Sequence, residues 1–273
     1  MIYNKLSISL LIFITIIIII LLFYNQKKEF YQNNKQIYIN KTFVINMKKD
    51  FKRLNYIKKE CKKNNIIFEI FNGIDGIKLN INQLKNNNTI KLHQNSFFNH
   101  NRQGRKSLKG SIGCALTHIS IWKKIAKSKK QHTLILEDDV IITPNFWNKF
   151  NIYSKQIPNN WDIIFLGGVR IFGKKISKNI IKATSTTNNL MNNCGLYAYI
   201  INKNSAQKLI NITNPITNYI DIQINRHYNN LQVYYLHPNI IKHNFKIKSS
   251  RNHNNKFKYP KYFIEDSKKI EFI

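Results

Sequence analysis

Apolar positions recur along the chain with two periods, and their alternation predicts an α/β body. Ile37–Met47 (IYINKTFVINM) is rich in β-branched residues and reads as a strand. Asp50–Asn64 spaces Phe51, Leu54, Ile57 and Cys61 by three and four, one face of an amphipathic helix with Asp50 at the capping position. Ile66–Phe71 reads as a second strand, and Gly73–Gly76 as its turn. Asn80–Gln103 is polar and Asn-rich, the pattern of a long loop. Ser111–Lys127 is helical and leads into a strand at Thr133–Leu136. Trp161–Gly168 and Leu196–Asn202 read as strands, and Ser205–Ile210 opens another helix. Strands spaced by helices in this way predict a doubly wound sheet.

Both ends of the chain differ from this body. Leu6–Tyr24 holds 19 residues without a charge, enough at about 1.5 Å per residue to cross ~30 Å of hydrocarbon. The run is longer than the roughly 7–15 apolar residues of a cleaved signal peptide, and no small-residue cleavage site follows it. The expected organisation is therefore a single-pass transmembrane signal anchor at 6–24, a short polar stem at 25–36, a folded domain at 37–242 and a basic tail at 243–273. Lys27, Lys28 and Lys35 outnumber Lys5 across the span, which leans the body towards the cytosol; an enzyme of the secretory pathway needs the opposite, type II orientation.

Composition changes the picture in one respect. The 44 Lys+Arg against 13 Asp+Glu give a formal charge of +31, which suits nucleic acid, anionic glycans or a membrane surface. Yet 49 Ile, 41 Asn and 38 Lys make up nearly half of the 273 residues, and all three share A/T-rich codons. The lysines form no long run, and only six arginines are present. Arginine is the usual bidentate reader of phosphates and bases, so nucleic acid is a disfavoured partner. A basic, membrane-anchored binding protein for nucleic acid or anionic glycans remains the alternative to an enzyme. Three widely spaced cysteines, Cys61, Cys114 and Cys194, exclude a disulfide scaffold and a four-cysteine zinc site.

With 13 acids in the chain, three in succession stand out. Glu137-Asp138-Asp139 follows the apolar strand Leu134–Leu136 directly, and open α/β sheets bind ligands beyond the carboxyl ends of their strands. Continued extended backbone would send Glu137 and Asp139 one way and Asp138 the other. Carboxylates so placed suit a hard divalent cation that keeps positions open for phosphate. A metal-dependent nuclease or phosphodiesterase would want a histidine beside a second acid cluster, which the sequence does not offer. Cys114 and His118 lie four apart on one helical face, read as packed core with His118 hydrogen-bonded rather than as a metal pair. His237 and His243 are candidates for a further metal ligand. Trp122, Trp147 and Trp161 are expected in the core.

Taken in order, FVINMKKDFKRLNYI, FEIFNGIDG, KGSIGCALTHISIWKKI, LILEDDVIITPNFW, WDIIFLG and YAYIINKNSAQKLI resemble glycosyltransferase family 25, over roughly Thr42–Leu236. That family includes bacterial lipo-oligosaccharide and procollagen galactosyltransferases. Gly-Cys-x-x-Thr-His about 20 residues before Glu-Asp-Asp is the most specific element. Two departures show: Thr117 stands where the family usually has Ser, and Cys194-Gly195-Leu196-Tyr197 replaces a more usual Gly-Thr-x-x. The resemblance implies a GT-A-like nucleotide-sugar fold, a UDP-sugar donor, Mn²⁺ (or Mg²⁺) and inversion at the anomeric carbon. It implies a galactose or glucose moved to a hydroxyl of a glycan, as in lipopolysaccharide biosynthesis, or of a collagen-like protein. In that frame Asp139 is the primary metal ligand, Glu137 the second, and Asp138 touches donor ribose or sugar at the reacting centre. Asn46, Lys48 and Arg53 sit near uracil and diphosphate. Asp221, the one acid between Asp162 and Glu265, is the expected general base for the acceptor hydroxyl.

Overall fold

In a computed structural model the protein is described over residues 13–24, 36–92, 104–129, 132–185, 192–247 and 270–272. Much of the tail and part of the predicted Asn-rich loop (93–103) lie outside these residues. So do residues 1–12, which include 6–12 of the predicted anchor, and nearly all of the predicted stem. Residues 13–24 form a helix whose side chains are exposed. Among the described residues no helix is long and apolar enough to cross a membrane.

The body is built on a mixed sheet. Its strands are β1 (Lys41–Asn46), β2 (Glu69–Asn72), β3 (His132–Glu137), β5 (Ile163–Phe165), β6 (Ile171–Ser177), β7 (Ile180–Ala183), β8 (Ala198–Asn202), β9 (Val233–Leu236) and β11 (Ile270–Phe272). Their order is β11-β6-β7-β9-β5-β8-β3-β1-β2. A separate antiparallel pair is formed by β4 (Val140–Ile142) and β10 (Ile241–His243). The helices are α1 (Phe51–Lys63), α2 (Ile81–Asn86), α3 (Gly104–Ala126), α4 (Phe146–Ser154), α5 (Lys203–Ile212) and α6 (Ile220–Asn225).

Alternation along the strands makes two cores. In β3, Leu134 and Leu136 pack with Ile57 and Cys61 of α1 and Phe146 and Phe150 of α4. Ile135 faces the other side, with Ile112, Ile119 and Trp122 of α3, Leu209 of α5 and Ile224 of α6. The result is a three-layer α/β/α arrangement in which the sheet interior is apolar on both faces. Strand β1 lies between β2 and β3, parallel to each. The chain leaves β1 towards one neighbour and later returns on the other side, so the carboxyl end of β1 is a switch point, where such sheets open a crevice.

Several expectations change. Asn80–Gln103 is not loop throughout: Asn80 caps α2 by accepting from the Gln83 N–H at 3.2 Å. Asp50 holds the N-cap position of α1 with no side-chain cap hydrogen bond, and Phe51 on the predicted apolar face is exposed. Trp122 and Trp161 are core, but Trp147 is 37% exposed and donates to the Asn64 carbonyl at 2.8 Å. A strand-like run does not reveal which of its ends will be paired, so the predicted strands at 37–47, 66–71, 161–168 and 196–202 shorten or shift by a few residues. From the predicted tail, His243 pairs with Val140 in the β10–β4 ladder and β11 pairs with β6.

Candidate active site

A cleft opens at the carboxyl ends of β1, β2 and β3. Asn46 ends β1 and Met47 follows it, Gly73–Ile77 follow β2, and Glu137 ends β3 with Asp138 and Asp139 in the turn after it. Gly110, Cys114, Thr117 and His118 of α3 form one wall, and Arg53 of α1 and His243 of β10 complete the lining. The turn after β2 sits directly on α3. A Cβ on Gly76 would come within 1.9 Å of the Lys109 carbonyl oxygen, and one on Gly113 within 2.7 Å of that of Ile74. Glycine is the residue that lets two backbones meet this closely. Thr117, in place of the family's usual Ser, keeps the hydroxyl that matters here: it accepts from the Ile74 N–H at 2.9 Å and donates to the Gly113 carbonyl at 2.7 Å.

The three acids divide between two surroundings. Strand geometry persists through Glu137, which therefore points to the α3 side like Ile135 and lies 3.5 Å from His118 Nε2. Asp138 and Asp139 then turn into β4, so the expected alternation is lost. Instead of diverging, they share one guanidinium: Arg53 Nη2 donates to Asp138 Oδ1 and, at 2.7 Å, to Asp139 Oδ2. Asn46 donates to Asp138 Oδ2 at 2.6 Å, and His243 Nε2 stands 3.5 Å from Asp139 Oδ2. The turn itself is pinned. Asn244 N–H donates to the Asp139 carbonyl at 2.8 Å, its side-chain amide to the Tyr56 hydroxyl at 3.1 Å, and Tyr56 to the Val140 carbonyl at 3.0 Å.

Burial sets the charges. It pushes the Asp138 carboxyl up to about 6, Asp139 adding to the effect while Arg53 and Asn46 oppose it. Burial also works against charge on Arg53, but Asp139, Asp138 and Glu137 more than offset this and raise its pKa. Around fully buried His118, burial again opposes the charge, yet Tyr199, Cys114 and Glu137 hold its pKa well above that of an ordinary histidine. Two acids over one cation leave this site with an excess of negative charge in a place with little water, which is an arrangement able to take a divalent cation.

Of the residues expected at the site, Asn46, Arg53, Glu137, Asp138 and Asp139 converge on the cleft, and Lys48 does not. Lys48 is exposed in the turn between β1 and α1. Asp221 also lies outside the lining. It sits in the first turn of α6, where Oδ2 accepts from the Gly195 N–H at 3.0 Å and Oδ1 from that of Ile222 at 2.9 Å. Gly195 is two residues before Tyr197, whose carbonyl accepts the Glu137 N–H at 2.8 Å. Between the two candidate histidines the structure separates clearly: His243 lines the cleft, while the His237 N–H donates to Asn179 in the strand pair beyond. His118 is buried and hydrogen-bonded to the Tyr199 hydroxyl, as expected, but it and Cys114 also line the cleft. Tyr56 and Asn244 are not singled out by sequence reasoning; Tyr56, one helical turn after Arg53 on α1, carries a usable signal.

Glycosyltransferase family 25 (LPS biosynthesis protein), as a family model, matches residues 39–224. Human procollagen galactosyltransferase 2 is 27% identical over 198 residues, 68% of this chain and 30% of that protein. A procollagen lysyl hydroxylase and glycosyltransferase of Acanthamoeba polyphaga mimivirus is 29% identical over 191 residues, 63% of this chain and 20% of that protein. This chain thus spans less than a third of the length of either relative. Among solved structures, a Streptococcus pneumoniae glycosyltransferase is similar at a TM-score of 0.40 and 11% identity, covering 86% of this chain and 60% of that one.

Proposed function

The chain belongs to glycosyltransferase family 25, and from that premise we propose that it is a metal-dependent, inverting hexosyltransferase of GT-A-like fold. Its donor is a UDP-sugar, galactose or glucose, and its acceptor a hydroxyl on a glycan or a collagen-like protein. The observation that carries this reading is the convergence of Glu137, Asp138, Asp139, Asn46, Arg53 and His243 on one cleft at the switch point of the sheet.

The donor chemistry suits a divalent cation: carboxylate oxygens from Glu137 and Asp139 and an imidazole nitrogen of His243, 3.5 Å from Asp139. Such sets are typical for Mn²⁺ or Mg²⁺. When bound, the cation would neutralise the diphosphate leaving group. Asp139 and Glu137 are its proposed main ligands, and His243 the third. Asn46 and Asp138 then orient the ribose and sugar. Arg53, already a cation at this spot, is positioned to meet the diphosphate. Transfer needs the acceptor oxygen to bond to the anomeric carbon as the bond to diphosphate breaks, with the hydroxyl proton taken up by a base. Asp221 is the proposed base, as the one acid between Asp162 and Glu265; the Gly195 whose N–H it accepts stands two residues before Tyr197, the partner of the Glu137 N–H. We also propose residues 6–24 as a membrane anchor, on their length and lack of charge.

Calorimetry of the protein with UDP, with and without Mn²⁺, tests this. Binding that requires Mn²⁺ and vanishes in Asp139→Asn supports the reading; a folded protein with no metal-dependent UDP affinity overturns it. Asp221→Asn should then lower turnover while leaving UDP affinity alone.

A further inference from the structure

Two side chains lining the cleft, Cys114 and His118, are left over by that reading. On the α3 wall Cys114 and His118 lie one turn apart, and Glu137 reaches them from the end of β3. The thiol sulfur, an imidazole nitrogen and a carboxylate oxygen are within 4.8 Å of one another. His118 is 1% exposed, and its Nε2 is buried without a hydrogen bond, with the Glu137 oxygen 3.5 Å away. Its other nitrogen is committed: Nδ1 shares a 2.8 Å hydrogen bond with the Tyr199 hydroxyl, which Trp122 Nε1 also reaches at 2.9 Å. A histidine fixed by an oxygen partner on one nitrogen and aimed with the other into a polar cleft has the outer support that metal-bound histidines usually have.

Donor chemistry separates this group from the acids around Arg53. Asp138, Asp139 and His243 offer oxygen and one nitrogen and suit a hard cation. Cys114 adds sulfur, which hard cations reject and which zinc-like cations prefer. We propose that Cys114, His118 and Glu137 form a second cation site in the same cleft, selective for a thiophilic divalent ion such as Zn²⁺. Two ligands four apart on a helix supply a fixed bite, and the third comes from the side chain with most freedom, Glu137, whose side chain is 26% exposed. Drawing three atoms from 4.8 Å onto Zn–N and Zn–S distances of roughly 2.0–2.3 Å needs only a modest turn of that side chain. Open positions on the ion would face the cleft. Binding releases the thiol proton, and any proton on Nε2, to solvent. Because Glu137 belongs to both sites, an ion held here withdraws a ligand from the Asp139 site, so Zn²⁺ is expected to weaken Mn²⁺ binding.

The test uses Co²⁺ as a coloured stand-in for Zn²⁺ on the full chain. A thiolate-to-cobalt charge-transfer band should appear on titration and disappear when Zn²⁺ is added in excess. It should be absent in Cys114→Ser, and retained in Cys61→Ser, Cys194→Ser and Asp139→Asn. The last variant keeps the outcome separate from that of the transferase reading. X-ray absorption at the zinc edge of the wild-type protein gives the same answer without a variant, as one sulfur at about 2.3 Å. Co²⁺ bound without a thiolate band, or a band that survives Cys114→Ser in folded protein, would overturn the site.

Discussion

Two buried acidic sites, one before β5 and one after β3, show how the same side chain can stand in a balanced or an unbalanced set of charges. Asp162, 5% exposed, precedes β5. It accepts from the Gln232 N–H at 3.0 Å and from Lys208 Nζ at 2.8 Å. There one acid meets one cation, a backbone donor ties it to the chain entering β9, and Lys208 remains half in water. Asp138 and Asp139, each 4% exposed, follow β3. There two acids share Arg53, which is itself mostly buried, and a third acid stands beside them facing a cleft. Burial does not distinguish these sites. The ratio of charges does, together with open space in front of them.

The largest expected break in this comparison is at Asp139. Asp139→Asn should lower metal-dependent UDP affinity by roughly 100-fold or more, as expected for loss of a metal ligand, while leaving the melting temperature near that of wild type. Asp162→Ala should do the reverse. It removes the partner of a buried backbone N–H and should cost about 2 kcal/mol in chemical denaturation, with UDP affinity unchanged in the folded protein.

The cations provide the next contrast. Arg53→Met leaves two buried acids without their shared counter-charge and should destabilise the metal-free protein by about 3 kcal/mol, and Mn²⁺ should restore part of this. Lys208→Met should cost under about 1 kcal/mol, because a half-exposed ion pair contributes little. Equal losses at the two positions, in denaturation curves without metal, would remove the distinction drawn between them.

A smaller effect concerns pH. The Asp138 pKa, about 6 in the fold, lies above its ordinary value of 3.8. Between these values the folded state therefore holds more proton than the unfolded chain, and stability falls as pH rises. In the metal-free protein Asp138→Asn should be stabilised relative to wild type by about 1–3 kcal/mol more at pH 7 than at pH 4. Parallel denaturation series at the two pH values measure it, and a constant difference would contradict the burial argument. Smallest of all, His243→Gln should weaken Mn²⁺ binding by roughly 10-fold, whereas His237→Gln should leave it unchanged.

Much of the site was legible before the fold was. Glu137-Asp138-Asp139 announced itself because acids are scarce in this chain and these follow an apolar strand, and Asn46 and Arg53 fell at the end of the first strand and the start of the first helix. What misled was local geometry. Extended alternation predicts that Asp138 diverges from Asp139, but the strand stops at Glu137 and the turn brings the two together on Arg53. Charge and order along the chain point to Asp221 and Lys48 as well, and neither lines the cleft.

The sequence by itself determined the layers: period-two and period-3.6 apolar patterns are local and survive any arrangement of the elements, so the α/β body and its two-faced apolar strands could be read directly. It also determined where carboxylates could gather after an apolar strand, since only 13 acids are present in the chain. Only the tertiary structure decided that His243 rather than His237 stands beside Asp139, that Cys114 and His118 open onto the cleft with Glu137, and that β1 is the switch point. Those facts depend on which strands pair and where each one ends. Pairing brings together residues such as Val140 and His243, about a hundred positions apart, and no local periodicity encodes a contact over that distance.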